Sequence, residues 1–160
     1  EQWAVASCTR LIESMGMVPI ILSREISGYV INRLQYALIG EALHLVGEGY
    51  CEPKDIDAAM KHGLGLRWAF LGPFETSHLN ATGGYLEYML TDEVGARRLM
   101  ADIRTNYVWD RELIARIHRY LVQTMAAPDI GRHQHRRDRL LLSLMKHLKE
   151  QTPEDTHASV

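Results

Sequence analysis

The run "NRLQYALIGEALHLVGEGY", residues 32–50, is apolar around most of a helical circumference, as a central buried helix would be. At about 100° per residue, Arg33, Ala37, Glu41, His44 and Glu48 fall on one narrow stripe. Asn32 falls roughly opposite, beside Tyr36, Ile39 and Leu43. A carboxamide on that side has two readings. In one it satisfies backbone groups of a neighbouring segment and serves packing alone. In the other it stays unpaired until a ligand arrives, then polarises a carbonyl or orients a hydroxyl at a reacting carbon.

Upstream, Val5, Cys8, Leu11, Ile12 and Met15 recur at three- and four-residue spacing over 2–15, and Gly16 ends that helix. "MVPIIL", 17–22, is short and β-branched, with Pro19 suited to a strand's start or a sheet edge. One strand cannot make a sheet. Either it pairs elsewhere in the chain, or it is the last unit of an α/β domain whose other strands lie outside this sequence. Glu1 is not an initiator Met, which fits a beginning cut from a longer protein.

Downstream the pattern is helical throughout. Pro53 suits a first helical position, with Ile56, Ala59 and Met60 on one side and Gly63 as the stop, giving a helix over 53–62. The Gly-punctuated "GLGLRWAFLG", 63–72, reads as a structured loop, and Pro73 opens a further short helix with Glu75 in its first turn, where an acid is favoured by the dipole. Helices follow at about 84–90, 93–105, 108–126 and 130–150, the last with a seam of Leu140, Leu141, Leu144, Met145 and Leu148. Residues 153–160 form a fraying tail.

Composition closes off several functions. Eighteen Lys and Arg against 20 Asp and Glu give a net charge of -2, so no overall field draws nucleic acid or acidic membrane. "GRHQHRRDR", 131–139, lacks interleaved aromatics and reads as the solvated start of a helix. His133 and His135 lie about 200° apart on that helix and cannot share a metal, so no metal site is expected. Two cysteines, Cys8 and Cys51, form no CxxC pair and suit reduced thiols in a cytoplasmic protein. No apolar run reaches the roughly 18–20 residues of a membrane span, and no signal peptide opens the chain. Gly63, Gly65 and Gly72 miss the dinucleotide fingerprint, because Trp68 stands where its third glycine would fall. The one cation of that loop, Arg67, is either a surface arginine or partner to a carboxylate such as Glu75, or a fork that binds a substrate carboxylate or phosphate bidentately.

Four stretches occur in order: G-[YF]-x-x-N-R-L at 28–34, E-A-x-x-L-x-x-E-G at 41–49, the Asp55-Ile56-Asp57 helix, and G-P-F-E at 72–75. Together they resemble the helical C-terminal domain of the 3-hydroxyacyl-CoA dehydrogenase family, in the branch that holds lambda-crystallin and L-gulonate 3-dehydrogenase. The resemblance covers residues 17–83; beyond about 90 it rests on helix count. It implies an all-α bundle like the C-terminal domain of 6-phosphogluconate dehydrogenase. Residues 1–24 would be a helix-strand remnant of an NAD-binding Rossmann domain, and 25–152 the substrate-binding and dimerisation domain. It further implies that Asn32 is the family's catalytic asparagine, that NAD is bound mainly by the upstream domain, and that the catalytic His and its Glu partner lie outside this sequence. Acyl-CoA members read G-x-P-M-G-P-F-E at the loop, whereas this chain has "LRWAFL" before Gly72. That version is similar to enzymes whose substrates keep a free carboxylate, and it points to Arg67 as the carboxylate ligand. The expected protein is a homodimeric, NAD-dependent dehydrogenase of a small 3-hydroxy acid, with the chain alone inactive. A 3-hydroxyacyl-CoA or carnitine dehydrogenase domain and a non-catalytic dimerisation module are the alternatives.

Overall fold

A computed structural model describes residues 2–151, and among these every regular element is helical. The helices are α1 (Gln2–Ser14), α2 (Tyr29–Gly47), α3 (Pro53–Ala59), α4 (Gly65–Trp68), α5 (Pro73–His78), α6 (Gly84–Thr91), α7 (Glu93–Asp102), α8 (Arg111–Thr124) and α9 (Ile130–Gln151). The all-α class expected from the sequence is therefore the observed one. The chain divides into two compact units, with the boundary after Tyr36. The tail expected at 153–160 lies outside the described residues.

In the first unit, α1 ends where Gly16 takes a φ of 73° and its N–H bonds back to Glu13. Residues 17–22 form no strand. A lone strand has no ladder to join, and nothing among the described residues offers one. The chain then turns at Ile26–Tyr29, where the Tyr29 N–H reaches the Ile26 carbonyl at 3.1 Å and Gly28 supplies a φ of 81°.

In the second unit, the polar stripe of α2 is covered in part: Glu41 and His44 are half-buried while Glu48 stays exposed, and Val46 on the other side is buried. The segment 103–110 lies along the stripe as a strap: the Arg104 N–H donates to Glu41 at 2.6 Å, and the Tyr107 hydroxyl donates to Glu48 at 3.1 Å. Gly40 and Gly47 make the approach possible. A Cβ on Gly40 would collide with the Thr105 carbonyl, and one on Gly47 with the Tyr107 ring. His44 lies between Tyr107 and Tyr50, with ring centroids 5.4 and 5.9 Å away, and its Nδ1 stands 3.4 Å from Glu41. Helix α8 is tied to the end of α2 and to α3 through Arg116, which donates to the Val46 carbonyl and, at 2.8 Å, to Glu52. Tyr120 donates to Asp57 at 3.4 Å. The buried apolar core here is Val46, 2% exposed, with Leu113 of α8.

The loop expected at 63–72 is a correction. The helix does not stop at Gly63; it widens into one π turn, Met60–Leu64, and continues as α4. Gly65 permits this because a π turn crowds the backbone: a side chain there would strike the Met60 carbonyl. Pro73 then opens α5 as expected, with Glu75 accepting the Gly72 N–H.

These contacts separate two glycines that composition cannot tell apart. Gly40→Ala should cost about 1–3 kcal/mol, because the strap backbone must move. Gly63→Ala, with nothing within 4 Å of the added carbon, should be neutral or stabilise by up to about 1 kcal/mol. Denaturant unfolding of the two variants measures the difference, and equal midpoints would remove the strap from the packing account.

Candidate functional site

Asn32 sits in the first turn of α2, just past the most constrained backbone of the chain. Gly28 and Tyr29 take successive positive φ values, 81° and 48°. For a residue as bulky as Tyr29 the left-handed region costs on the order of 1–2 kcal/mol. That double turn sets the entry angle of α2 and thereby aims Asn32. The side chain lines an open cleft of about 380 Å³ with Ile20, Leu22, Tyr29, Val30 and Ile31. Asn32 is exposed, and no described residue hydrogen-bonds its carboxamide. The packing reading of this amide therefore has no partner among the described residues. The other residues of the cleft are largely apolar and open: Ile20 and Ile31 are 59% and 67% exposed.

Arg67 lies in the second unit, in the last turn of α4. Its guanidinium is exposed and pairs with no described residue. The structural alternative, a bond to Glu75, does not occur, and one Glu75 oxygen accepts the Gly72 N–H instead. The Arg67 backbone is firmly placed, since its carbonyl accepts from both Phe70 and Leu71. A rigid turn thus carries a free fork, which suits bidentate capture of an oxyanion.

Two further features escaped the sequence. A cleft between α5 and α6 is lined by Leu71, Phe74, Glu75, His78, Leu79 and Tyr85, with the Phe74 and Tyr85 rings perpendicular at 5.8 Å. Beside the strap, a second cleft of about 310 Å³ is lined by Tyr107, Asp110, Glu112, Arg116 and Arg119. Its charges largely balance within the chain. Asp110 accepts the Leu113 N–H and Arg116 is bound to Glu52. The signals for both clefts were present only as a Gly-Gly pair at 83–84 and as tyrosines with no periodic role.

Perturbed titrations lie away from Asn32 and Arg67. Partial burial, then the hydrogen bond to Glu48, pushes the Tyr107 phenol up. Partial burial and the charge of Asp57 do the same to Tyr120. Partial burial, then Asp55 and Glu52, raise the Cys51 thiol, which suits an inert thiol rather than a nucleophile. No group of three or more His, Cys, Asp or Glu among the described residues could hold a metal ion. None of the described helices is long and apolar enough to cross a membrane.

Residues 28–135 match the profile of the 3-hydroxyacyl-CoA dehydrogenase C-terminal domain, and the chain belongs to that family. Among curated relatives, it is 37% identical to rat (Rattus norvegicus) lambda-crystallin homolog over 145 residues, covering 88% of this chain and 44% of that protein. It is 48% identical to lambda-crystallin of Oryctolagus cuniculus over 90 residues, which is 56% of this chain and 28% of the relative. To L-carnitine dehydrogenase of Bacillus cereus it is 33% identical over 146 residues, 88% of this chain and 43% of the relative. The chain thus spans less than half the length of these proteins.

The strain at Tyr29 is open to test. Tyr29→Asn, a residue that tolerates the left-handed region, should stabilise by about 1 kcal/mol. Tyr29→Val, β-branched at the same φ, should destabilise by at least as much. Thermal unfolding of both variants checks the signs, and matching signs would mean that the turn is not under strain.

Proposed function

We propose that this chain is the substrate-binding domain of an NAD-dependent dehydrogenase that oxidises the 3-hydroxyl of a small hydroxy acid of the L-gulonate type. The observation that carries the reading is the Asn32 carboxamide, unpaired within an apolar cleft. Exposed and without a partner among the described residues, that amide is free to engage a ligand oxygen, and covering the cleft would strengthen the pairing. In the reading, Asn32 hydrogen-bonds the substrate oxygen or orients the base that removes its proton. Arg67 binds the carboxylate and fixes which carbon is presented. The similarity to L-carnitine dehydrogenases, named for a substrate that is not a thioester, supports this reading.

The residues of this chain do not themselves fit a dinucleotide. The glycines of 63–72 serve a π turn and a helix start, and Trp68 interrupts the fingerprint. The proposal therefore assigns NAD to a Rossmann domain preceding α2, of which α1 and 17–22 are the end, and it makes the chain alone inactive. That segment would become a strand once a sheet edge is supplied. We place the protein in the cytoplasm as a homodimer, the exposed apolar faces being the support for association.

In the enzyme that includes the cofactor domain, Asn32→Ala should lower turnover by around a hundredfold. A near-normal turnover number removes the residue from the reaction. Arg67→Met should raise KM for a free 3-hydroxy acid by about tenfold or more, in line with loss of a charge-assisted pair, and leave a 3-hydroxyacyl-CoA thioester unaffected. Equal effects on the two substrates would favour the thioester alternative.

A further inference from the structure

The π turn at Met60–Leu64 joins two parts of one helical run that have different tasks. Upstream, α3 is tied to α8: Glu52 accepts from Arg116 at 2.8 Å and Asp57 accepts from Tyr120 at 3.4 Å. Downstream, α4 carries Arg67 in its last turn. Between them the Gly65 N–H reaches back five residues to the Met60 carbonyl, where an α-helix would reach back four. The turn therefore takes up one residue more than an α turn. Ala59, Met60, Leu64 and Gly65 all keep right-handed helical backbone, so the run is continuous through it.

The glycines of this turn make no room for a neighbouring element. At Gly40 and Gly47 the strap crosses the helix, whereas a Cβ on Gly63 would meet nothing within 4 Å, and one on Gly65 only the Met60 peptide, 2.6 Å from its oxygen. What the turn changes is register. Each α-helical residue advances the chain by about 100° and about 1.5 Å. Straightened at the same length, the run from α3 would set Leu66 where Arg67 now stands and carry Arg67 one step further round. We infer that Gly65 is a positioning residue for Arg67: a bare Cα leaves the Met60 carbonyl clear, which keeps the π turn, and the π turn puts a cation rather than a leucine at the place proposed for the substrate carboxylate. The inference rests on the role proposed for Arg67 and adds the element that sets its register.

The test uses the enzyme that includes the cofactor domain, with L-gulonate as substrate. Gly65→Ala sets a methyl against the Met60 carbonyl, favours an α turn at unchanged length, and should raise KM about fivefold or more, toward the value for Arg67→Met. Deletion of Gly63 leaves Gly65 four residues from Met60, so the same N–H and carbonyl bond as in an α-helix and Arg67 keeps its place. KM should then stay within about twofold of normal. The decisive variant combines the two. Deleting Gly63 in the Gly65→Ala background should recover both KM and melting temperature, which a general loss of packing would not do. In an Arg67→Met background, Gly65→Ala should add nothing further to KM. Should Gly65→Ala not fold, the combined variant, folded and near normal in KM, carries the test. A silent Gly65→Ala, a combined variant no better than Gly65→Ala, or a Gly63 deletion as damaging as Arg67→Met overturns the inference and leaves the Arg67 reading standing. A silent Arg67→Met overturns both.

Discussion

The second unit depends on the approach of the strap at 103–110 to the polar side of α2. Gly40 and Gly47 are seven residues apart, two helical turns, and they mark where the Thr105 backbone and the Tyr107 ring cross the helix. Removing two side chains brings backbone close enough for Glu41 to take the Arg104 N–H and for Glu48 to take the Tyr107 hydroxyl. The polar residues of the stripe thus satisfy a segment that has no regular structure of its own, as buried backbone requires. With the strap in place, α8 begins at Arg111 and can set Leu113 near Val46 and Arg116 on Glu52.

This arrangement explains why the sequence was legible in its elements and misleading in its faces. Helix starts at Pro53 and Pro73 and helix stops near Gly16 and Gly49 follow from local chemistry, and local chemistry is what a sequence displays. The direction of burial on α2 is not local. Arg33, Ala37, Glu41, His44 and Glu48 read only as one narrow stripe, and what Glu41, His44 and Glu48 meet is a strap some 60 residues away. Meanwhile Tyr36, on the side that reads as core, is 68% exposed. The π turn at Met60–Leu64 was hidden for a related reason. Glycines that read as a stop instead let an over-wide turn pass, and only the collision of a side chain at Gly65 with the Met60 carbonyl reveals it.

The candidate site was legible where chemistry is out of place and obscure where it is made by contact. Asn32 among apolar residues and Arg67 between Leu66 and Trp68 are visible anomalies in a string of letters. His78 is not, since a histidine at the end of a short helix carries no signal. Its place arises from the Tyr85 N–H that donates to its Nδ1 and from the bare Gly84 behind it. Glu75 shows the converse. Its place in the first turn of α5 accounts for the oxygen that accepts the Gly72 N–H, while its neighbours Phe74 and Tyr85 are brought together only by the fold.

Exposure and function are linked through the same residues. A chain with 46% hydrophobic residues leaves Ile20, Ile31, Leu34 and Tyr36 in the first unit, and Leu140, Leu141 and Leu142 on α9, substantially open. Apolar area of this kind destabilises a free surface by roughly 25 cal/mol for every Å² not removed from water, and a cover that removes it is rewarded in proportion. Around Asn32 the two demands coincide. Covering Ile20 and Ile31 stabilises the protein and also dries the cleft, and in a dry cleft a carboxamide discriminates between a ligand oxygen and nothing far more sharply than it does in water. Under the role proposed for Asn32, the apolar rim would be part of what makes the amide selective. A polar rim would keep water on Asn32 and reduce the advantage of any substrate that displaced it.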